Sequence, residues 1–306
     1  MMVKLSDLLA NIEHTELFLD EDLSPYSTLK LLSKGDLVII KSEEALKKVI
    51  HAFYAEKRDY NVLGFGSNQL LKERSIIPYF KLLFSYDQNY LDVVRDEYVL
   101  PASLHLSKLS SHASKFGLRG WEAFTGIPAT LGGAVFMNAG TGLGEIGPLI
   151  KNVKLISRDG SIKVISTGKD SFSYRKNHFT NKGDIIYEVT LIHHGRDEKI
   201  PLLIRDYLRK RNETQPLKSP TCGCIFKNMH KELSSGELAT CRAGEFIDII
   251  GLKGFNLDDV RVSPLHANFM ENTGHADYTN MIKTIDFIKE ELKLQFGVSF
   301  DTEVKF

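Results

Sequence analysis

Hydrophobic positions along this chain switch between two spacings, short runs or alternation for strands and a three-to-four-residue stripe for helices. Leu37-Val38-Ile39-Ile40 is a short buried run, and after Ser42 the apolar positions become Leu46, Val49, Ile50 and Phe53 on one helical face. Ser42 predicts the N-cap of that helix, with Glu43 and Glu44 suiting the positive end of its dipole. Before it, residues 4–22 form an amphipathic start carrying Leu5, Leu8, Leu9, Ile12 and Leu17. After it come a strand over 60–63, short strands between 76 and 100, and a helix over 104–116 with Leu104, Leu106, Leu109, Ala113 and Phe116 inward. Residues 153–156 and 162–165 flank Arg158-Asp159-Gly160-Ser161, and the Asp-Gly pair predicts a hairpin with a type I′ turn. A strand over 185–192 and a charged helix over 201–212 follow, the latter ended by Thr214-Gln215-Pro216. Met281, Ile282, Ile285, Ile288 and Leu292 mark a helix over 278–294, and Val298 and Phe300 a final strand.

Composition narrows what such a chain does. With 306 residues, 42% hydrophobic and 25% charged, it is long enough for two or three cores. Formal net charge is zero and basic residues are spread along the sequence, which argues against nucleic acid as the main partner. No apolar run approaches membrane-spanning length, so no membrane partner and a cytoplasmic location are expected. The three cysteines, Cys222, Cys224 and Cys241, are too few and too oddly spaced for a disulfide framework or a zinc site, and no metal is expected.

The candidate chemistry lies in the glycines. Eight of the 23 glycines fall between Gly117 and Gly144, interleaved with Ile127, Pro128, Leu131, Ala134, Val135, Phe136 and Met137. Bare backbone N–H groups beside apolar cover suit a flat ring with a phosphate tail. Earlier, the strand at 60–63 empties into Gly64-Phe65-Gly66-Ser67-Asn68. A Rossmann fingerprint needs a third glycine where Gln69 stands, so that reading fails, but the two glycines with Ser67 and Asn68 can still form an anion nest.

Gly126-Ile127-Pro128, then Thr130, Gly132-Gly133-Ala134 and Met137-Asn138-Ala139-Gly140, resemble the flavin-binding core of the UDP-N-acetylenolpyruvoylglucosamine reductase family. Gly64-x-Gly66-Ser67-Asn68 is similar to the pyrophosphate loop of the vanillyl-alcohol-oxidase-type (PCMH-type) FAD fold to which that family belongs. Tyr174-Arg175 resembles the family's Tyr-Arg motif. Only about ten residues separate Arg175 from Ile185, as in the shorter, type II form. Pro220-Thr221-Cys222-Gly223-Cys224-Ile225-Phe226-Lys227-Asn228 resembles the family's Pro-Ser-Ala-Gly-Ser-x-Phe-Lys-Asn, with Cys224 where the family's catalytic Ser stands and Met229 in place of Pro. Residues 242–254 and 262–272 resemble its substrate domain. Asp301-Thr302-Glu303-Val304 takes the place of Glu-Pro-Glu-Val, and Lys305 stands where Arg is commoner.

The resemblance implies an α+β architecture: FAD-binding subdomains over 1–70 and 71–198, and a substrate-binding domain over 199–306 whose C-terminal segment returns to the active site. It implies FAD held by Gly64, Gly66, Ser67, Asn68, Gly126, Ile127, Pro128, Thr130, Gly132, Gly133, Ala134, Asn138 and Gly140. Substrate would meet Tyr174, Lys227, Asn228 and Asn268, with Cys224, Arg175 and Glu303 as the catalytic set. The implied reaction is that of a UDP-N-acetylmuramate dehydrogenase: NADPH reduces FAD, and UDP-N-acetylglucosamine enolpyruvate is then reduced to UDP-N-acetylmuramate for peptidoglycan. Hydride would reach the enolpyruvyl β-carbon from flavin N5, and Cys224 would protonate the α-carbon. The partners expected are small molecules, with the protein a monomer. His266 stays outside the catalytic set, because a lone histidine is more often packed or hydrogen-bonded. Two other readings remain open: a different FAD oxidase or dehydrogenase of the same fold, and a non-catalytic nucleotide-sugar binding protein.

Overall fold

The computed structural model describes residues 3–229 and 241–306. They fall into two compact units, each built from separated segments of chain. The first comprises Met1–Asp20, Asp36–Phe65 and Ile76–Arg209, and the second Glu21–Gly35, Gly66–Ser75 and Lys210–Phe306.

The first unit holds two sheets. In one, the strands Thr15–Asp22, Lys34–Ile40, Tyr79–Leu82 and Asn61–Val62 lie side by side in that order. Tyr79–Leu82 runs parallel to both neighbours, with Leu37 opposite Tyr79 and Asn61 opposite the same residue. Parallel strands need covering crossovers, and the amphipathic helix Glu43–Ala55 supplies one. Its Ala45, Leu46, Val49, Ile50 and Phe53 pack on Val38, Ile40 and Phe80. Ser42 caps it by accepting from the Ala45 N–H at 3.1 Å.

The other sheet is antiparallel, in the order Glu97–Pro101, Ile185–Ile192, Ile150–Ile156, Ile162–Ser166. Ile185–Ile192 reads Ile-Ile-Tyr-Glu-Val-Thr-Leu-Ile and is buried at six of its eight positions, as a central strand covered on both faces must be. The helices Leu106–Phe116 and Leu131–Phe136, with Trp121 and Phe124 between them, complete that core. The first of these helices stops at Gly117, whose φ of +68° makes the left-handed C-cap.

The expected hairpin at 153–165 forms, but its turn is not type I′. Of Asp159 and Gly160 only the glycine has a positive φ, +85°. The Gly160 N–H donates to Ser157 O, and the Ser157 N–H to Ser161 O, a tighter turn followed by a bulge. The Asp159 carboxylate accepts from the Ser161 N–H at 2.9 Å, which keeps Asp159 out of the left-handed region.

The second unit is built on an antiparallel sheet in the order Thr221–Cys224, Phe269–Asn272, Val260–Val262, Asn256–Leu257. The helices Ala243–Ile249 and Tyr278–Phe296 cover it through Ile247, Met281, Ile285, Ile288 and Leu292. A reciprocal capping box between Asp277 and Asn280 starts the long helix, and Gly297 at φ +68° ends it. The early segment joins this sheet directly: Asn272 Nδ2 donates to Leu29 O at 3.1 Å and Lys30 O at 3.0 Å. The final strand is only partly realised. Residues 301–305 form single bridges, Thr302 with Phe226 and Lys305 with Gln69, rather than a ladder.

Candidate active site

In the first unit the glycine-rich stretch becomes a 3-10 turn over Trp121–Phe124, a loop, and the short helix Leu131–Phe136. Two glycines in six residues make a poor helix, so it rests on burial of Leu131, Ala134 and Val135 and on its cap. That cap is Thr130, whose hydroxyl accepts from the Gly133 N–H at 3.3 Å. Gly126 sits at φ +74°. A Cβ on Gly132 would stand 2.7 Å from Ala102 Cβ, and one on Gly64 2.9 Å from Thr130 Oγ1. Gly64 is therefore packed closely on the Thr130 side chain, and Gly132 on Ala102. Phe136 is 45% exposed and Pro128 is exposed beside half-buried Ile127 and Met137.

Asn138 and Gly140 also organise the chain around Arg175. Asn138 is 1% exposed with φ +41°. Its Nδ2 donates to Glu145 Oε2 at 2.8 Å and Ser173 O at 3.0 Å, while its Oδ1 accepts from the Gly147 N–H at 3.0 Å. Two chain segments, residues 145–147 and the one at Ser173, are thereby fixed to one buried amide. One of them is the hairpin Phe172–Ser173 with Lys176–Asn177, whose two-residue tip is Tyr174-Arg175. Asn177 pins the other strand of that hairpin by donating to Phe136 O at 2.8 Å. Arg175 itself has φ +56°, its Nη2 donates to Gly140 O at 3.0 Å, and its guanidinium lies 5.0 Å from the Tyr174 ring centroid. A left-handed arginine at a hairpin tip is a strained conformation that the two asparagine anchors hold in place.

Gly66, Ser67, Asn68, Cys224, Lys227, Asn228, Asn268 and Glu303 belong to the second unit. Gly66 has φ +69°, and a Cβ there would come within 2.1 Å of Tyr26 O. Cys224 closes the strand Thr221–Cys224, in which Gly223 at φ +81° shifts the register so that Cys224 pairs with Phe269. Cys222 is buried in the core, and burial pushes its thiol up to about 12, whereas Cys224 is half-buried. Asn268, 3% exposed, donates to Phe226 O at 2.8 Å and accepts from the Phe226 N–H at 2.9 Å, so it acts on the segment after Cys224. Asn228 Oδ1 accepts from the Ala243 N–H at 3.2 Å.

The C-terminal segment ties these pieces together. The Glu303 N–H donates to Ile225 O at 2.7 Å, and the Lys227 N–H to Asp301 O at 2.9 Å. On its other side Asn68 Nδ2 donates to Glu303 O at 3.2 Å, and the Lys305 N–H donates to Asn68 O at 3.0 Å. Glu303 thus sits between the Cys224–Lys227 segment and the Gly66–Asn68 loop. His266 is a packed residue: its ring lies 4.7 Å from Phe269, its Nδ1 accepts from the Asn268 N–H, and burial above all holds its pKa below the ordinary value.

Tested for FAD, these residues fit. Gly64 and Gly133 place bare backbone beside the buried Thr130 hydroxyl, where a Cβ at either position would crowd it, and exposed apolar surface at Pro128 and Phe136 adjoins the same stretch. Sequence reasoning missed Asn177 and Glu145, which support the Arg175 hairpin through Phe136 and Asn138. The asparagine directly after Arg175-Lys176 was the available signal.

Residues 37–166 match the family described as "FAD binding domain". With the vanillyl-alcohol-oxidase-type (PCMH-type) fold and a separate C-terminal α+β unit, this defines a flavin-dependent oxidoreductase. Residues 215–306 match "UDP-N-acetylenolpyruvoylglucosamine reductase, C-terminal domain". The chain is 30% identical to UDP-N-acetylenolpyruvoylglucosamine reductase 1 of Bacillus anthracis over 289 residues, covering 94% of this chain and 93% of the relative. It is 28% identical to the reductase of Halalkalibacterium halodurans over 99% of this chain and 98% of the other. The crystal structure of the reductase from Thermus caldophilus superposes with a TM-score of 0.77 at 29% identity, covering 95% of this chain and 98% of that one. The chain belongs to the UDP-N-acetylenolpyruvoylglucosamine reductase family. It is an enzyme of peptidoglycan synthesis, and its cofactors are FAD and NADPH. Among the described residues no helix is long and apolar enough to cross a membrane.

Proposed function

We propose that the protein reduces UDP-N-acetylglucosamine enolpyruvate to UDP-N-acetylmuramate, with Arg175, Cys224 and Glu303 as its catalytic residues. Bound FAD would supply the hydride chemistry, accepting from NADPH and passing the hydride to the enolpyruvyl β-carbon. Gly64, Gly66, Ser67, Asn68 and the 126–140 stretch bind it, and Tyr174, Lys227 and Asn228 bind substrate. Negative charge develops on the substrate's α-carbon and carboxylate as the hydride arrives. Arg175, permanently cationic, stabilises that charge, and its strained, anchored hairpin means little reorganisation is needed at the moment of reaction. Cys224 gives its proton to the α-carbon, since a thiol is a competent acid at neutral pH. Glu303 orients that proton transfer, and Asn268 acts through the segment it holds.

The observation that carries this reading is the double tether of Glu303, to Ile225 beside Cys224 and to Asn68 of the phosphate loop. Both bonds are made by the Glu303 main chain, its N–H on one side and its C=O on the other, so the residue is fixed between the two segments, a placement that a simple flavin oxidase does not need. The test is an anaerobic visible spectrum, taken before NADPH, after NADPH, and after then adding the enolpyruvyl UDP-sugar. Bleaching followed by recovery of the oxidised flavin spectrum supports both half-reactions. Bleaching without recovery moves the substrate to another class, and absence of a flavin spectrum after reconstitution with FAD refutes the proposal.

A further inference from the structure

The strand Tyr79–Leu82 reads Tyr-Phe-Lys-Leu, a cation within an otherwise apolar run. Phe80 is buried, stacks against Tyr60 and meets Phe53 edge-on, so its face of the strand is closed core. Lys81, on the alternate face, is half-buried, and its Nζ donates to Gly64 O at 2.7 Å. No carboxylate among the described residues pairs with it. Burial is the sole influence on its titration, and burial lowers its pKa. A desolvated ammonium bound only to one carbonyl is an unfavourable arrangement, because buried charges are normally matched by a counter-charge. That carbonyl occupies one of three N–H donors and leaves two for a ligand.

Its surroundings identify the ligand. Gly64 abuts the Thr130 hydroxyl, which caps the Leu131–Phe136 helix, and Thr130 bridges to His105. Phe65 meets the His105 ring edge-on at 4.9 Å. Burial first, then the charges of Lys81 and Lys108, hold His105 below its ordinary pKa, and an imidazole, neutral or cationic, supplies no negative charge to Lys81. Two glycine-bearing backbone segments thus converge beside a cation that lacks an anion.

Resting on the flavin reading above, we propose that Lys81 is the counter-charge for the diphosphate of FAD, held at the Gly64 turn by that carbonyl. The cation weakens the empty protein slightly and strengthens the loaded one, so affinity for FAD exceeds what backbone amides alone provide.

The experiment uses full-length protein stripped of flavin, as wild type, Lys81→Met and Lys81→Arg. Each is titrated with FAD and separately with riboflavin, which has no diphosphate, following flavin fluorescence at several salt concentrations. Loss of one charge-assisted hydrogen bond lowers FAD affinity by roughly 10- to 100-fold in Lys81→Met. Riboflavin affinity stays unchanged, the salt dependence of FAD binding becomes shallower, and Lys81→Arg recovers most of the loss. The flavin-free Lys81→Met protein melts at or above the wild-type temperature. FAD affinity within about twofold of wild type overturns the proposal. So does an equal loss for riboflavin, which would direct the cation at the ring, or a lower melting temperature of the flavin-free variant, which would make Lys81 a structural residue. Wild-type protein that binds no FAD refutes the flavin reading itself and is told apart by occurring before any substitution.

Discussion

Replacing Asn138 by Ala tests how the Arg175 hairpin is held. The substitution removes two donors and one acceptor from a site that is 1% exposed. The Gly147 N–H, itself buried, is left without its partner, at about 1–3 kcal/mol. Glu145 Oε2 and Ser173 O regain water more easily, and their lost bonds add about 1 kcal/mol each. Alanine at the observed φ of +41° adds up to about 1–2 kcal/mol of backbone strain that asparagine tolerates better. The sum, about 4–7 kcal/mol, corresponds to a fall in melting temperature of roughly 8–28 °C for a chain of this size. Turnover falls by at least about tenfold, because the Arg175 guanidinium loses the anchor of one strand of its hairpin. Asn138→Gly relieves the strain but loses the same bonds, so it melts above Asn138→Ala and below wild type. Differential scanning calorimetry with steady-state kinetics measures both effects. A melting temperature for Asn138→Ala within about 2 °C of wild type would show that the three hydrogen bonds are not what fixes the hairpin.

Gly66→Ala must overcome both a left-handed φ and a Cβ 2.1 Å from Tyr26 O, so it loses solubility or FAD binding, whereas Gly168→Ala, with nothing within 4 Å of its Cβ, melts like wild type. In alkali, Cys222 and Tyr60, both raised to about 12 by burial, stay protonated in the folded protein while the unfolded chain has already released their protons. Stability is therefore fully present below pH 9 and is lost as pH rises toward 12; the Cys222 part, on the order of 4 kcal/mol, vanishes in Cys222→Ala urea titrations. Ending the chain after Phe300 removes the bonds to Ile225, Lys227, Asn68 and Leu70 and abolishes turnover with a lower melting temperature; full turnover in such a truncation would exclude Glu303 from the mechanism.

Much of the framework was legible because local chemistry and tertiary packing agree there: Ser42 caps where expected, and Met281, Ile285, Ile288 and Leu292 face one core. The misses have separate physical causes. Thr15–Asp22 carries four acidic residues in eight and reads as polar, yet it is an edge strand that needs only a few apolar contacts. The helix Leu131–Phe136 hides behind Gly132-Gly133, whose weak propensity is overridden by burial. At the C terminus, hydrophobic spacing gave a strand, but residues 301–305 divide their backbone bonds between two different segments, which no local period records. The Tyr174-Arg175, Cys224 and Glu303 motifs were readable one by one. The Asn138 and Asn177 anchors were not, since the bonds by which they hold the hairpin, to Ser173 and Phe136, span 35 and 41 residues of sequence.

The composition of the second unit sets an order of events during synthesis. Its three segments begin at Glu21, Gly66 and Lys210, and its sheet takes in residues 28–30 through Asn272. A ribosome that has made the first two hundred residues has released nearly everything the first unit requires, but Leu29, Leu31 and Leu70 still wait for the apolar partners that cover them. Pairings this distant close late, after the loop entropy of the intervening chain has been overcome. The Gly66–Asn68 loop gains its last backbone partners only when Glu303 and Lys305 arrive. Nascent chains would therefore expose an apolar segment near their start until the final residues are made, and prematurely terminated chains would be left as aggregation-prone substrates for chaperones and proteases.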